Sequence, residues 1–188
     1  RGDVTTDQLN DYIKRVRAAL PNRIKVSTAE PWATWLLEPE LAQNVDFITV
    51  HLLPYWEGVS AHDALGFLSR AYTHVQEQFP DKPIVIGEAG WPSEGRTRKG
   101  ASATPADQAY FIRAFVQLAL EKGYDYYLLE AYDGPWKGGD EGFFGAYWGL
   151  FDAHSLTKFA FTGMLRSFPE WRTYLLFAAI LTLVGAIN

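Results

Sequence analysis

The chain has 188 residues, 48% hydrophobic and 21% charged, with a net charge of −5; this is the balance of one sizeable folded domain and excludes a disordered chain. The acidic balance, with no basic patch or aromatic-basic interleave, excludes nucleic acid as a partner. The lack of cysteine excludes a disulfide frame, thiol chemistry and a cysteine zinc site.

The first predicted element is a helix over "TTDQLNDYIKRVRAAL". Thr5 and Gln8 have capping-box spacing, and Leu9, Tyr12, Ile13, Val16 and Leu20 form one apolar face. "RIKVSTAE" reads as a strand ending at Glu30, and "DFITVHLLPYW" as a second strand stopped by Pro54. A helix follows from about Ala61 to Phe79, with Leu65, Leu68, Tyr72, Val75 and Phe79 on its buried side. "KPIVIGE" is the third strand. "TPADQAYFIRAFVQLALEKG" is a helix with Thr104 as N-cap, Pro105 in its first turn and Gly123 past its end. "YDYYLLEAY" is the fourth strand, followed by the loop "DGPWKGGDEGFFGAYWG" and a last helix from about Lys158 to Phe168.

Nearly all-apolar strands separated by amphipathic helices imply a parallel sheet covered by helices. The unit recurs about every 30 to 40 residues, the size of a βα unit in a (β/α)8 barrel. The expected fold class is therefore α/β, with about four βα units forming the C-terminal part of a TIM barrel over residues 1–168. An open doubly wound sheet is the alternative, although no glycine-rich phosphate loop follows any strand and no cofactor is implied. The ends read as cut. Residue 1 is Arg, with no signal-like segment, and the chain stops inside the uncharged run "YLLFAAILTLVGAIN". Residues 169–188 are expected to start a transmembrane helix, which takes about 20 apolar residues; a terminal core helix is the alternative.

In a parallel barrel, functional groups gather at the carboxyl ends of the strands. Those ends carry Glu30, then His51 and Tyr55, then Glu88, then Glu130 with Asp133; Trp32, Trp56, Trp91 and Trp136 follow in the same loops. Seven tryptophans and ten tyrosines exceed what a core of this size requires. Flat rings with one polar edge suit sugar faces, and they also suit packing under loops. Glycoside cleavage takes two carboxyl groups, one to protonate the leaving oxygen and one to attack the anomeric carbon or activate water. Glu88, at the end of a strand and flanked by Gly87 and Gly90, has the placement for the nucleophile; a solvated strand-end acid is the plain alternative. His51 is either a proton carrier near a carboxylate or a structural hydrogen-bonding group. His51 and His62 lack the short helical spacing of a zinc pair, so no metal site is expected. Ser93 lacks the Gly-x-Ser-x-Gly context of a hydrolase elbow. Lys137, beside Trp136, is either a sugar-binding donor or a solvated loop lysine.

Several segments resemble glycoside hydrolase family 17, the β-1,3-glucanases and related glucan transglycosylases. "IGEAGWPSEG" resembles that family's nucleophile segment, "HLLPYWEG" its strand carrying an active-site tyrosine, and "LEAYDGPWK" its substrate-binding segment. "WGLFD", residues 148–152, resembles the segment closing the barrel, and "RGDVTTDQLNDYIKRVRAAL" the helix after the fourth strand. The resemblance covers about residues 1–168 and implies a retaining (β/α)8 enzyme acting on β-glucan. By motif match Glu88 is the catalytic nucleophile and Tyr55 a neighbour that orients it or contacts the sugar. Glu30, Trp32, His51, Trp91, Glu130, Asp133, Trp136 and Lys137 are the remaining substrate-site candidates.

Two departures follow from the same comparison. The family's acid/base glutamate belongs to an Asn-Glu pair just before the first helix, so it is expected upstream of Arg1, and the stretch from Arg1 to Asn188 alone is expected to be inactive and poorly stable. Gly134 stands where the family loop usually has glutamate, which is expected to alter one subsite. Bacterial proteins resembling this one often join the barrel to membrane helices and a family 2 glycosyltransferase. The resemblance thus implies a membrane-associated, extracytoplasmic (periplasmic) barrel in a bacterium that remodels glucan. A sugar-binding barrel without catalysis, beside such a synthase, is the competing expectation.

Overall fold

The computed structural model describes residues 4–138, 143–164 and 171–187. Its elements in chain order are α1 (Thr6–Ala19), β1 (Ala29–Pro31), α2 (Trp32–Leu37), β2 (Ile48–Leu52), α3 (Pro54–Glu57), α4 (Ala64–Gln78), β3 (Ile84–Ala89), α5 (Pro105–Lys122), β4 (Asp125–Leu128) and α6 (Trp171–Ile187). The strands form one sheet in the order β1-β2-β3-β4, and every neighbouring pair is parallel. Beyond β4, the Glu130 amide donates to the Trp148 carbonyl, and the Leu150 and Phe151 amides donate to Glu130 and Ala131. Residues 148–151 thereby run beside the extension of β4, with a parallel bridge between Tyr132 and Phe151.

One face of the sheet is covered by helices. Ile48, Val50 and Leu52 alternate onto it from β2, and Ile84, Ile86 and Ala89 from β3. They share one apolar cluster with Leu68, Ala71 and Val75 of α4 and with Phe111, Ile112 and Phe115 of α5. Alternation of period two in the strands and the 3.6 period of the helices therefore meet on the same surface. The opposite face, carrying Thr49, His51, Val85 and Glu88, is only partly covered.

Local signals account for most boundaries. The Thr5 side chain accepts from the Gln8 amide and Gln8 answers to the Thr5 amide, the reciprocal box expected for α1. Thr104 accepts from the Asp107 amide at 3.1 Å to start α5, and Gly123 ends it at φ +67°, a conformation that costs glycine little.

Three expectations need correction. The apolar face of α1 is mostly open: Tyr12 is 46% and Val16 47% exposed, while Ile13 is buried. The helix docks through Asn10, which accepts from Asn44 at 2.8 Å, and through Ile13, a narrower contact than the pattern implies. The first strand shrinks to three residues, with Glu30 in its middle. The stretch before it is tied instead to the chain entering β2: the Val26 amide and Arg17 donate to the Asp46 carboxylate, and Ser27 Oγ to the Phe47 carbonyl. The helix expected to start at Lys158 does not form over residues 158–164; Thr157 bridges to Phe151, and Gly163 sits at φ +79°. Its remainder, residues 165–168, lies outside the described residues. The C-terminal apolar run forms α6; among the described residues no helix is long and apolar enough to cross a membrane.

Two substitutions separate close backbone approach from helix capping. A Cβ at Gly149 would overlap the backbone of Tyr132, Asp133 and Phe151, so Gly149→Ala is expected to cost about 3 kcal/mol by overpacking. Thr104→Ala is expected to cost about 1 kcal/mol. Urea unfolding of the two variants measures the difference.

Candidate active site

Alternation alone would hide Glu88. Counting in twos from Ile84 and Ile86 puts residue 88 on the helix-covered face, where a carboxylate has no water. The register shows why it is not there. Val50 pairs with Ile86, but His51 pairs with Glu88, so Gly87 is an extra residue in β3. The ladder to β4 shifts at the same place, with Ile86 opposite Tyr126 and Ala89 opposite Leu128. This β-bulge turns Glu88 onto the open face beside His51 and returns Ala89 to the core.

On that face, the His51 Nδ1 lies 3.2 Å from the Glu88 Oε2. Glu88 keeps 34% of its side-chain surface exposed, and its second oxygen has no hydrogen-bond partner among the described residues. Glycine at 87 is required by space: a Cβ there would lie 2.5 Å from Thr49 Cγ2 and 3.1 and 3.2 Å from Cδ2 and Nε2 of His51.

The neighbouring strands bring two more carboxylates to the same edge. Glu30 accepts from Thr28 Oγ1 at 2.9 Å and stands beside Val50 in the register, one step before His51. Glu130, just past β4, is held by Lys137 at 2.6 Å. Gly134 makes room for that lysine, since a Cβ at 134 would come within 3.3 Å of the Lys137 stem and of the Trp136 ring. Trp136 itself stands 76% exposed on the rim. Trp32 donates to Glu57 Oε1 at 3.3 Å and packs edge-on against Phe67, which fixes its ring between the loops after β1 and β2.

Three of the expected substrate contacts lie buried in this structure. Trp91 is fully buried, donating to the Ser102 carbonyl at 2.8 Å and packing against Tyr55 and Phe111. Tyr55 is fully buried as well. Its hydroxyl donates to the Arg96 carbonyl at 2.6 Å, and burial pushes its pKa up, keeping it neutral. Asp133 is buried and accepts at one oxygen from the Gly149 amide at 2.9 Å and from Lys158 at 2.7 Å. All three hold the rim from below rather than line it. Trp-Pro adjacency and strand-end position mark a loop, but not the depth at which its side chains settle.

Other residues of this support were not singled out from sequence. Gln108 is fully buried on α5, and its Nε2 donates to the carbonyls of Trp91 (2.9 Å), Gly149 (3.0 Å) and Trp148 (3.3 Å). It stitches the loop after β3 to residues 148–149; a polar residue on the apolar side of α5 was the available signal. Trp148 stacks on Trp56 with ring centroids 5.7 Å apart. Burial lowers the Lys158 pKa, with Asp133 opposing that shift; no local pattern marks this pair across 25 positions. No group of three or more His, Asp or Glu side chains able to hold a metal ion occurs among the described residues.

The arrangement offers one carboxylate on a rigid strand with a free oxygen, two further carboxylates at flanking strand ends, and exposed aromatic surface beside them. Comparison with known proteins gives a consistent picture. The model for the BtgE/BtgC glycoside hydrolase domain matches residues 1–149. A glucan 1,3-beta-glucosidase of Arthroderma benhamiae is 29% identical over 175 residues, covering 85% of this chain and 56% of the relative. A glycoside hydrolase family 17 beta-1,3-glucanosyltransferase from Rhizomucor miehei superposes with a TM-score of 0.75 at 30% identity, over 84% of this chain and 57% of that one. An active-site mutant of that enzyme, in complex with laminaritriose, gives the same TM-score of 0.75 at 29% identity, over 84% of this chain and 57% of that one. The chain thus spans a little over half the length of these proteins, and both source organisms are fungi.

Removing Lys158 strands a buried carboxylate, whereas Glu130 and Lys137 remain partly hydrated, with 22% and 26% of their side chains exposed. Lys158→Met is expected to cost about 3 kcal/mol, against about 1 kcal/mol for Lys137→Met. Chemical denaturation of both variants checks the order.

Proposed function

The chain belongs to the BtgE/BtgC glycoside hydrolase domain family, and from that premise we propose that it carries the nucleophile half of a retaining β-1,3-glucan hydrolase or transglycosylase. The supporting observation is the position of Glu88 on the bulge, inside the matched region, with one oxygen 3.2 Å from His51 Nδ1. In this reading the four-stranded sheet is part of a (β/α)8 barrel. Glu88 attacks the anomeric carbon, the glycosidic bond breaks, and the leaving oxygen takes a proton from a general acid about 5 to 5.5 Å away. The same acid, now a base, then deprotonates water or a sugar hydroxyl as it opens the glycosyl ester. The resemblance to glycoside hydrolase family 17 implies that the acid/base is a glutamate N-terminal to Arg1, and we adopt that assignment; Glu130 and Glu30 are engaged by Lys137 and Thr28. Glu30, Trp32, Glu130, Trp136 and Lys137 form the sugar-binding rim, and Lys137 draws Glu130 into a fixed orientation toward it.

We further infer a membrane-associated, extracytoplasmic setting, with the domain fused in a bacterial protein to a family 2 glycosyltransferase. What supports tethering is α6, whose Leu175, Leu176, Phe177 and Ile180 stand exposed. Flotation of the protein with anionic and zwitterionic vesicles tests it: co-flotation that is lost when residues 171–188 are deleted is expected, and no co-flotation refutes the assignment.

The decisive variant is Glu88→Gln in the full-length protein, incubated with laminari-oligosaccharides and followed for both cleavage and transfer products. Turnover is expected to fall by at least about 10³-fold with an unchanged melting temperature. Near wild-type turnover would exclude Glu88 as nucleophile. Tight oligosaccharide binding by a wild-type protein that shows no turnover would favour a binding barrel instead.

A further inference from the structure

Beyond the nucleophile itself, we propose that His51 is a positioning residue for Glu88, acting through Nδ1. The inference rests on the proposed function of Glu88. Three separate observations carry it. The bulge brings residue 88 directly opposite residue 51 rather than leaving it a position away. The Nδ1 to Oε2 distance of 3.2 Å links the two side chains. The ring edge opposite that contact fills the volume a side chain at 87 would need, with its Cδ2 and Nε2 3.1 and 3.2 Å from the nearest Cβ position.

The chemistry follows from the carboxylate. An attacking carboxylate uses one oxygen on the anomeric carbon, and its trajectory is set by what holds the other. Glu88 stands past the last regular ladder pair before the bulge, and a glutamate has three side-chain torsions to fix. In this proposal Nδ1, 3.2 Å from Oε2 in the ion-pair contact, closes to a hydrogen bond in the substrate complex, which fixes them and leaves Oε1 as the bond-forming atom. Because that bond is donated to an ionised acceptor, it is also stronger than a neutral one. When the glycosyl ester forms, Oε1 becomes the ester oxygen and Oε2 its carbonyl oxygen, which still accepts from Nδ1. No proton has to move at His51. It therefore serves both halves of the double displacement without changing state. Thr49, one strand layer below, closes the other side of the Gly87 backbone, with its Cγ2 2.5 Å from the same Cβ position and its hydroxyl donating to Ser27 Oγ at 2.9 Å.

The position of the donor atom, rather than the mere presence of a polar ring, is what the inference claims, and amide replacements separate the two. An asparagine places its Nδ2 near the site of Nδ1, whereas a glutamine places its Nε2 near the site of Nε2. In the full-length protein, His51→Gln is expected to lower the rate of Glu88 labelling by a 2-deoxy-2-fluoro-laminaribiosyl fluoride roughly 10²-fold, the penalty of a displaced reacting group. His51→Asn is expected to stay within about tenfold of wild type, because the donor to Oε2 is retained. The rate is read by intact-mass spectrometry, and KM for laminari-oligosaccharides is expected to change little in either variant. Equal rates in His51→Asn and His51→Gln, with the wild type labelled at Glu88, would overturn the positioning role. A wild type that is never labelled would overturn the assignment of Glu88 beneath it.

Discussion

The site depends on one constraint of β structure, that successive side chains point to opposite faces. In β2 and β3 that rule fills the helix-covered face with Ile48, Val50, Leu52, Ile84 and Ile86, and it would carry an acid two residues further into the same apolar layer. Gly87 breaks the count once. The residue after it emerges on the open face, and Ala89 re-enters the core without a polar atom to bury. A bulge also bends its strand and raises the local twist, so the carboxylate is aimed by backbone geometry before any side-chain contact forms. His51 then completes what the backbone begins.

Around this strand the supporting contacts fall into two groups. One is a buried polar frame. Gln108 joins the Trp91 carbonyl to those of Trp148 and Gly149, while Asp133 joins Lys158 to the Gly149 amide. Each tie crosses between loops that leave different strands. The frame is not fully satisfied, since the buried Gln108 Oε1 has no hydrogen-bond partner among the described residues. The other group is aromatic: Tyr55 meets Trp56, Trp91 and Trp148 edge to face. Together they tie the strand-end loops to one another beneath the exposed rim residues.

Much of this was readable in the residues. Helix α5 carried a cap, a proline and a terminal glycine in the right places, and its boundaries follow them. The apolar strands announced a parallel sheet, and their carboxyl ends placed Glu30, His51, Glu88 and Glu130 along one edge. What could not be read was depth and face. Trp91 and Trp136 share the same kind of turn, yet one is sealed beneath Phe111 and the other stands in solvent. Tyr12 and Val16 keep perfect helical spacing but meet no core, because α1 docks through Asn10 and Ile13. The Gly87 bulge had a visible sign, a glycine within a strand pattern, but the sign does not say which neighbour it re-aims. Asp133 and Lys158 pair through the fold alone.

The two faces of the sheet also divide the labour of change. The helix-covered face is a closed apolar layer in which almost any substitution alters packing. The open face carries Thr49, His51, Val85 and Glu88 with solvent still within reach, and the loops beyond it vary separately, strand by strand. Alterations there touch little of the layer that keeps the domain folded. The loops at the strand ends could thus change what they present while the helix-covered side of the sheet keeps its packing. Adaptability of this kind is a property of how the strands are dressed, and it precedes any particular substrate.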